Sequence, residues 1–251
     1  MPEPPLPSFS VAPRSSSSPA WLASLPRVKP SVAVGSNAWA TLLQPGGELA
    51  SIAVVRVEAL GEDSLTVVDK AQQRIEGVPA ALVHPLGDPH NLRHGALALF
   101  YTWTTPGWLG RVSHAVAGDE LRVTYDAAGV TRETPVDHAE PLRTGMRPLA
   151  FVAYRQSGGL AVGPVVAMDD QRVFLLAGSG HVDVAARAEV EALDLKAREW
   201  AVGQPVRAYR WATGLERGTI ARVLEPGVRY EVAFGTSVPP ASYFIASLVA
   251  P

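Results

Sequence analysis

Cysteine is absent from the 251 residues. That excludes disulfides, thiolate metal sites and cysteine nucleophiles together, and zinc fingers with them. Long apolar runs are absent too. No run of eighteen or more apolar residues occurs, so no helical membrane span is expected. The first residues lack the basic stretch and unbroken apolar segment of a secretory leader, which makes a cytoplasmic location the expectation. Charge of one sign is also scarce. A net charge of −2 gives no global drive toward nucleic acid or anionic lipid. The asymmetry is local: residues 196–251 carry seven basic side chains against four Glu, and residues 33–87 carry three basic against six acidic.

What is present is a large apolar share, 47%, cut into short alternating runs by Gly- and Pro-bearing turns. This is the pattern of small antiparallel meanders. The clearest copy fills Val202 to Pro251, opening with Val202–Trp211, continuing with Gly218–Val223 and Tyr230–Phe234, and closing with Ile245–Pro251. Three copies precede it, Val34–Leu86, His94–Leu142 and Thr144–Leu195. Their starting glycines are aligned as Gly35, Gly95, Gly145 and Gly203. Their second runs are aligned as Ile52–Val55, Leu109–Val112, Val162–Val166 and Gly218–Ile220. Polar tips at 61–63, 118–120, 169–170 and 226–227 suit antiparallel hairpins. A fourth strand and a short helical turn are expected before each closing segment. Self-similarity at 50 to 60 residues identifies a repeat architecture.

Five short strands per repeat bury their edges only by curling closed. The expected fold is therefore all-β, with four tandem small barrels at 32–87, 88–143, 144–195 and 196–251. A disordered Pro- and Ser-rich tail over residues 1–31 precedes them. Within that tail Trp21, Leu22 and Leu25 form an apolar cluster, a candidate docking peptide for a partner groove. The alternative is that it folds back onto the first barrel. So thin a core per repeat makes neighbouring barrels pack on each other.

The order Val-Gly-x-x-Val-x-Ala-x-x-Trp, Gly-Thr-Ile-x-x-Val, Tyr-x-Val-x-Phe and closing Leu-Val-x-Pro in residues 202–251 resembles the Tudor and agenet group of SH3-like barrels. The resemblance extends over about residues 33 to 251. It implies binding, because Tudor-like barrels read peptides or nucleic acids. In that group an aromatic cage grips the ligand. The second repeat matches three of its places with Trp103, Trp108 and Tyr125, and Asp126 follows as a possible carboxylate. The group's further aromatic and Asn fall near Ala128 and Val130, which leaves the cage incomplete. Such rings hold a methylated cation at roughly 0.5–2 kcal/mol per contact. The alternative is that the aromatics pack the barrel.

Chemistry beyond binding finds no support in the sequence. Asp88, His90 and His94 have helical metal-ligand spacing but straddle Pro89 and a repeat boundary. Gly178-Ser179-Gly180-His181 reads as a hairpin tip rather than a nucleophile elbow. No enzyme, metal or cofactor is expected. The leading expectation is a scaffold for a protein or peptide partner. A second is nucleic-acid binding through Arg207, Arg210, Trp211, Arg217, Arg222 and Arg229 in the fourth repeat, with arginine for phosphate and rings for stacking. A third is a rigid spacer.

Overall fold

A computed structural model describes residues 19–44, 47–88, 92–101, 108–114, 121–127, 130–156, 159–193, 195, 198–210, 214–235 and 239–251. The fold is all-β, and the described residues form twenty strands in four five-stranded antiparallel units. The first unit holds β1 (Asn37–Leu43), β2 (Ala50–Leu60), β3 (Ser64–Val68), β4 (Arg74–Pro79) and β5 (Val83–Pro85). The second holds β6 (Leu97–Tyr101), β7 (Trp108–His114), β8 (Arg122–Ala127), β9 (Val130–Pro135) and β10 (His138–Pro141). The third holds β11 (Phe151–Gln156), β12 (Gly159–Met168), β13 (Arg172–Leu176), β14 (Val182–Ala186) and β15 (Val190–Ala192). The fourth holds β16 (Pro205–Arg210), β17 (Gly214–Glu225), β18 (Arg229–Ala233), β19 (Ala241–Phe244) and β20 (Leu248–Val249). In every unit the spatial order is fourth, third, second, first, fifth. No helix among the described residues is long and apolar enough to cross a membrane.

One device bends all four sheets. Each second strand slips register against the third at a matching place, between Val57 and Ala59, Val112 and His114, Val165 and Ala167, and Ile220 and Arg222, and the fourth unit slips again between Val223 and Glu225. A bulge adds an unpaired residue and increases the local twist. The second strand can then pair with the first strand before the kink and the third after it, which rolls the sheet up. The residue before each kink, Val57, Val112, Val165 or Ile220, is fully buried. These kinks align the repeats at Val57 rather than Val55, two residues beyond the alignment drawn from the apolar runs.

The turn entering each unit is equally regular, with one substitution. Ser36, Ala96, Ala150 and Gln204 each donate an N–H to the carbonyl three residues back. The residue before each has positive φ: Gly35 at 83°, Gly95 at 81°, Leu149 at 68° and Gly203 at 87°. In the third unit the role assigned to Gly145 thus belongs to Leu149. A leucine resists that conformation, by roughly 1–2 kcal/mol. Leu149 stays because its buried side chain fills the core shared by the first and third units.

The expected helical turns precede the closing strands in three units, as 3-10 turns at Ala80–Leu82, Arg187–Glu189 and Ile245–Ser247. In the second, residues 136 and 137 make a bend instead.

The four units form a closed square, not a row. Barrels 1 and 3 share one apolar core that runs from Trp39, Leu42 and Ile52 to Leu149, Phe151 and Phe174. Ala50 N–H also donates to Gly180 O at 2.7 Å between them. Barrels 3 and 4 join by a parallel bridge, Leu160 to Gly214, and by packing of Leu193 on Leu215 and Val249. Barrel 2 places Leu97 in the core of barrel 4. Its Glu140 bonds to Trp39 of barrel 1. At the centre stand Leu142 and Leu195, the residues that end the second and third repeats. Each packs against the cores of both barrel 1 and barrel 4.

Residues 1–18 of the expected tail lie outside the described residues. The rest of it is not a free docking peptide. Ala20–Ala23 form one helical turn, α1. Leu22 and Leu25 are 1% and 7% exposed within the core shared by barrels 1 and 3, with Trp21 packed against it. The cluster folds back onto its own chain because the apolar seam is already there to receive it.

Candidate functional site

Two buried titratable side chains, Glu140 and His84, lie where barrels meet. Glu140, on β10, is 1% exposed. It accepts hydrogen bonds from Trp39 Nε1 at 2.9 Å, Arg143 Nε at 2.7 Å and the Gly87 N–H. His138 stands 3.9 Å away, its ring edge-on to Trp39. Arg143 also donates to Pro85 O at 2.6 Å. Burial by itself would raise the Glu140 pKa, but His138, Arg143, Trp39 and Gly87 outweigh it and bring it down to about 2. A buried charge is tolerated only when its lone pairs are filled this fully. Close by, Lys70 of barrel 1 pairs with Asp137 and lies over the Tyr101 ring at 4.5 Å. Burial, with Asp137 and Asp69 nearby, pushes the Tyr101 hydroxyl up to about 12.

Barrels 1 and 3 share a second polar contact. His84 Nε2 lies 2.8 Å from Val166 O. Val166 is the extra residue of the third kink, so its carbonyl is free to accept. Burial holds His84 down at about 4, with the Arg143 charge adding to that and the Val166 bond opposing it. The imidazole is therefore neutral and donates from Nε2.

The residues expected to bind from sequence fare differently. Trp103 lies outside the described residues. Trp108 opens β7 opposite Phe100, and Asp126 pairs with Thr131 on β9; both side chains lie outside the described set. Tyr125 is 8% exposed and its ring sits 5.1 Å from Phe100 inside barrel 2. It is core, as the packing alternative has it, because the alternation of β8 turns it inward. In barrel 4, Arg207 pairs with Glu191 of barrel 3 at 3.2 Å and donates to Ala250 O at 3.0 Å. Arg222 pairs with Glu231 at 2.7 Å. Arg217 is exposed and opposite Arg207 in the ladder. Arg229 is half-buried. Trp211 and the Arg210 side chain lie outside the described set. His90 does as well, and no group of three metal-ligating side chains exists among the described residues. Gly178–His181 is the tip between β13 and β14, closed by Ala177 N–H to His181 O at 2.9 Å.

A site the motifs did not mark opens between barrels 2 and 4. It is a cleft of about 380 Å³ lined by His94, Gly95, Ala96, Arg111, Arg198, Glu199 and Gly227. The entry turn of barrel 2 forms one wall, and the tip of the β17–β18 hairpin forms the other. The guanidinium of Arg111 lies against both. A Cβ on Gly95 or on Gly227 would stand 3.4 Å or 3.3 Å from Arg111 Nη2. Arg198 lies 4.9 Å over the Trp200 ring. Sequence did carry a signal for Arg111: it alternates outward beside the buried Val112. Nothing in sequence said that barrel 4 would face it.

No family model matches the chain, and no curated protein matches it in sequence.

Proposed function

We propose that this protein is a non-catalytic interaction module, Tudor-like in its repeat pattern, that receives a protein or peptide partner in the groove between barrels 2 and 4. The observation that carries the reading is the cleft of about 380 Å³ at that junction, with charged and polar side chains in its lining. Concave surfaces with a few convergent polar groups are the usual binding places. The packing of Tyr125 in the core shifts weight from an aromatic cage to this groove. The ion pairs of Arg207 and Arg222 favour a protein partner over nucleic acid, since both guanidiniums already hold carboxylates.

Affinity capture with the full chain tests the reading, set beside His94→Trp, which obstructs the cleft from its exposed rim. The partner retained by the native chain is expected to be lost from the variant at unchanged melting temperature. Retention by both chains, or release by nuclease alone, overturns it.

A further inference from the structure

The groove also has a charge preference. Elsewhere at the barrel junctions the described arginines meet carboxylates from their own chain: Arg143 meets Glu140 and Arg207 meets Glu191. Arg111 and Arg198 do not. Among the described residues neither has a carboxylate within ion-pair reach. Both are nevertheless held in place. Arg198 lies over Trp200, and Arg111 lies between two turns whose glycines have positive φ, 81° and 67°. Guanidiniums fixed this way lose little freedom when they take a planar bidentate acceptor. Glu199 on the rim is exposed and paired with neither. The arginine and glutamate side chains of the lining, Arg111 and Arg198 against Glu199, therefore leave one excess positive charge.

We propose that the cleft is a docking site for an acidic peptide segment, with Arg111 and Arg198 receiving its carboxylate side chains. The inference rests on the groove reading above and names its partner class. The volume suits a few residues of a peptide. Two arginines beside one glutamate suit isolated carboxylates better than a phosphate backbone, which needs a continuous track of cations.

The test uses the full chain and four probes: a glutamate hexapeptide, a glutamine hexapeptide, inorganic phosphate and a single-stranded oligonucleotide. The reporters are the NMR resonances of the Arg111 and Arg198 Nε–H groups. The glutamate peptide is expected to shift both resonances and to bind about tenfold or more weakly to Arg111→Gln or Arg198→Gln. Its affinity should fall with added salt, and the glutamine peptide should leave both resonances unmoved. No shift with the glutamate peptide, an equal shift with the glutamine peptide, or a response to phosphate or oligonucleotide alone overturns the proposal. If Arg111→Gln lowers the melting temperature, the more peripheral Arg198→Gln decides: unchanged peptide affinity in that variant also overturns it. Should His94→Trp still release a captured partner while the glutamate peptide fails, the groove stands and its acidic preference falls.

Discussion

Barrel 2 meets barrel 1 across one face and barrel 4 across another, and arginine stands at both. At the first junction the chain supplies the counter-charge itself, Glu140, and surrounds it with Trp39, Gly87 and Arg143. At the second, Arg111 and Arg198 have no carboxylate partner among the described residues, and a cleft remains. At the first junction the buried carboxylate thus has its donors from its own chain. The second holds its cations by stacking and by bare backbone instead. The difference separates a junction whose arginine is neutralised from within from one whose arginines are left to the proposed ligand.

Removing the carboxylate should break the closed junction most severely. Glu140→Ala strips Arg143 and Trp39 of their shared acceptor in a buried setting, and about 3–5 kcal/mol of stability should be lost. Urea denaturation at neutral pH reads this. A loss under 1 kcal/mol would mean that water replaces the carboxylate and that the junction is not sealed.

Acid should loosen the square in two stages. His84 is held at about 4 in the folded chain against an ordinary 6.5. The unfolded chain therefore takes up its proton first, and stability falls as pH drops from 6.5 to 4, by on the order of 3 kcal/mol. Glu140, held at about 2, repeats the effect between its ordinary 4.5 and 2. His84→Gln should flatten the upper stage and leave the lower one. An unchanged upper stage in that variant would assign it to another group.

Gly87→Ala sharpens the comparison. Its Cβ would stand 2.7 Å from Glu140 Oε2, a carboxylate that its other partners hold in place. A cost of about 1–3 kcal/mol is expected, read as a lowered melting temperature. A neutral result would show that Glu140 has room to move.

The smallest effect belongs to the open junction. Arg111→Gln and Arg198→Gln should each change stability by less than about 0.5 kcal/mol. Calorimetry that finds either variant as damaged as Glu140→Ala would make the two junctions equivalent and remove the distinction.

The repeats were legible because alternation and turn chemistry are local. The hairpin tips at 61–63 and 226–227 fall where the strands end, and the leucines that close the second and third repeats, Leu142 and Leu195, are the ones at the molecular centre. Leu149 was not legible. A leucine in a glycine position makes sense only once barrel 1 is seen packed against it. Tyr125 misled for a related reason, since an aromatic on a half-buried strand reads alike whether it faces a ligand or the Phe100 ring. Arg111 and Arg198 are 87 residues apart in number, and no spacing rule joins them. Their shared cleft is a product of how barrels 2 and 4 come to face each other.

The square has one more consequence. A linear array of repeats has two ends, each with an unused stacking face, and can be lengthened by adding copies. Here every copy already has two neighbours, so the assembly is self-terminating. Splitting it after the second copy would bare two matching surfaces at once, and fragments 1–143 and 144–251 mixed in solution should find each other and anneal.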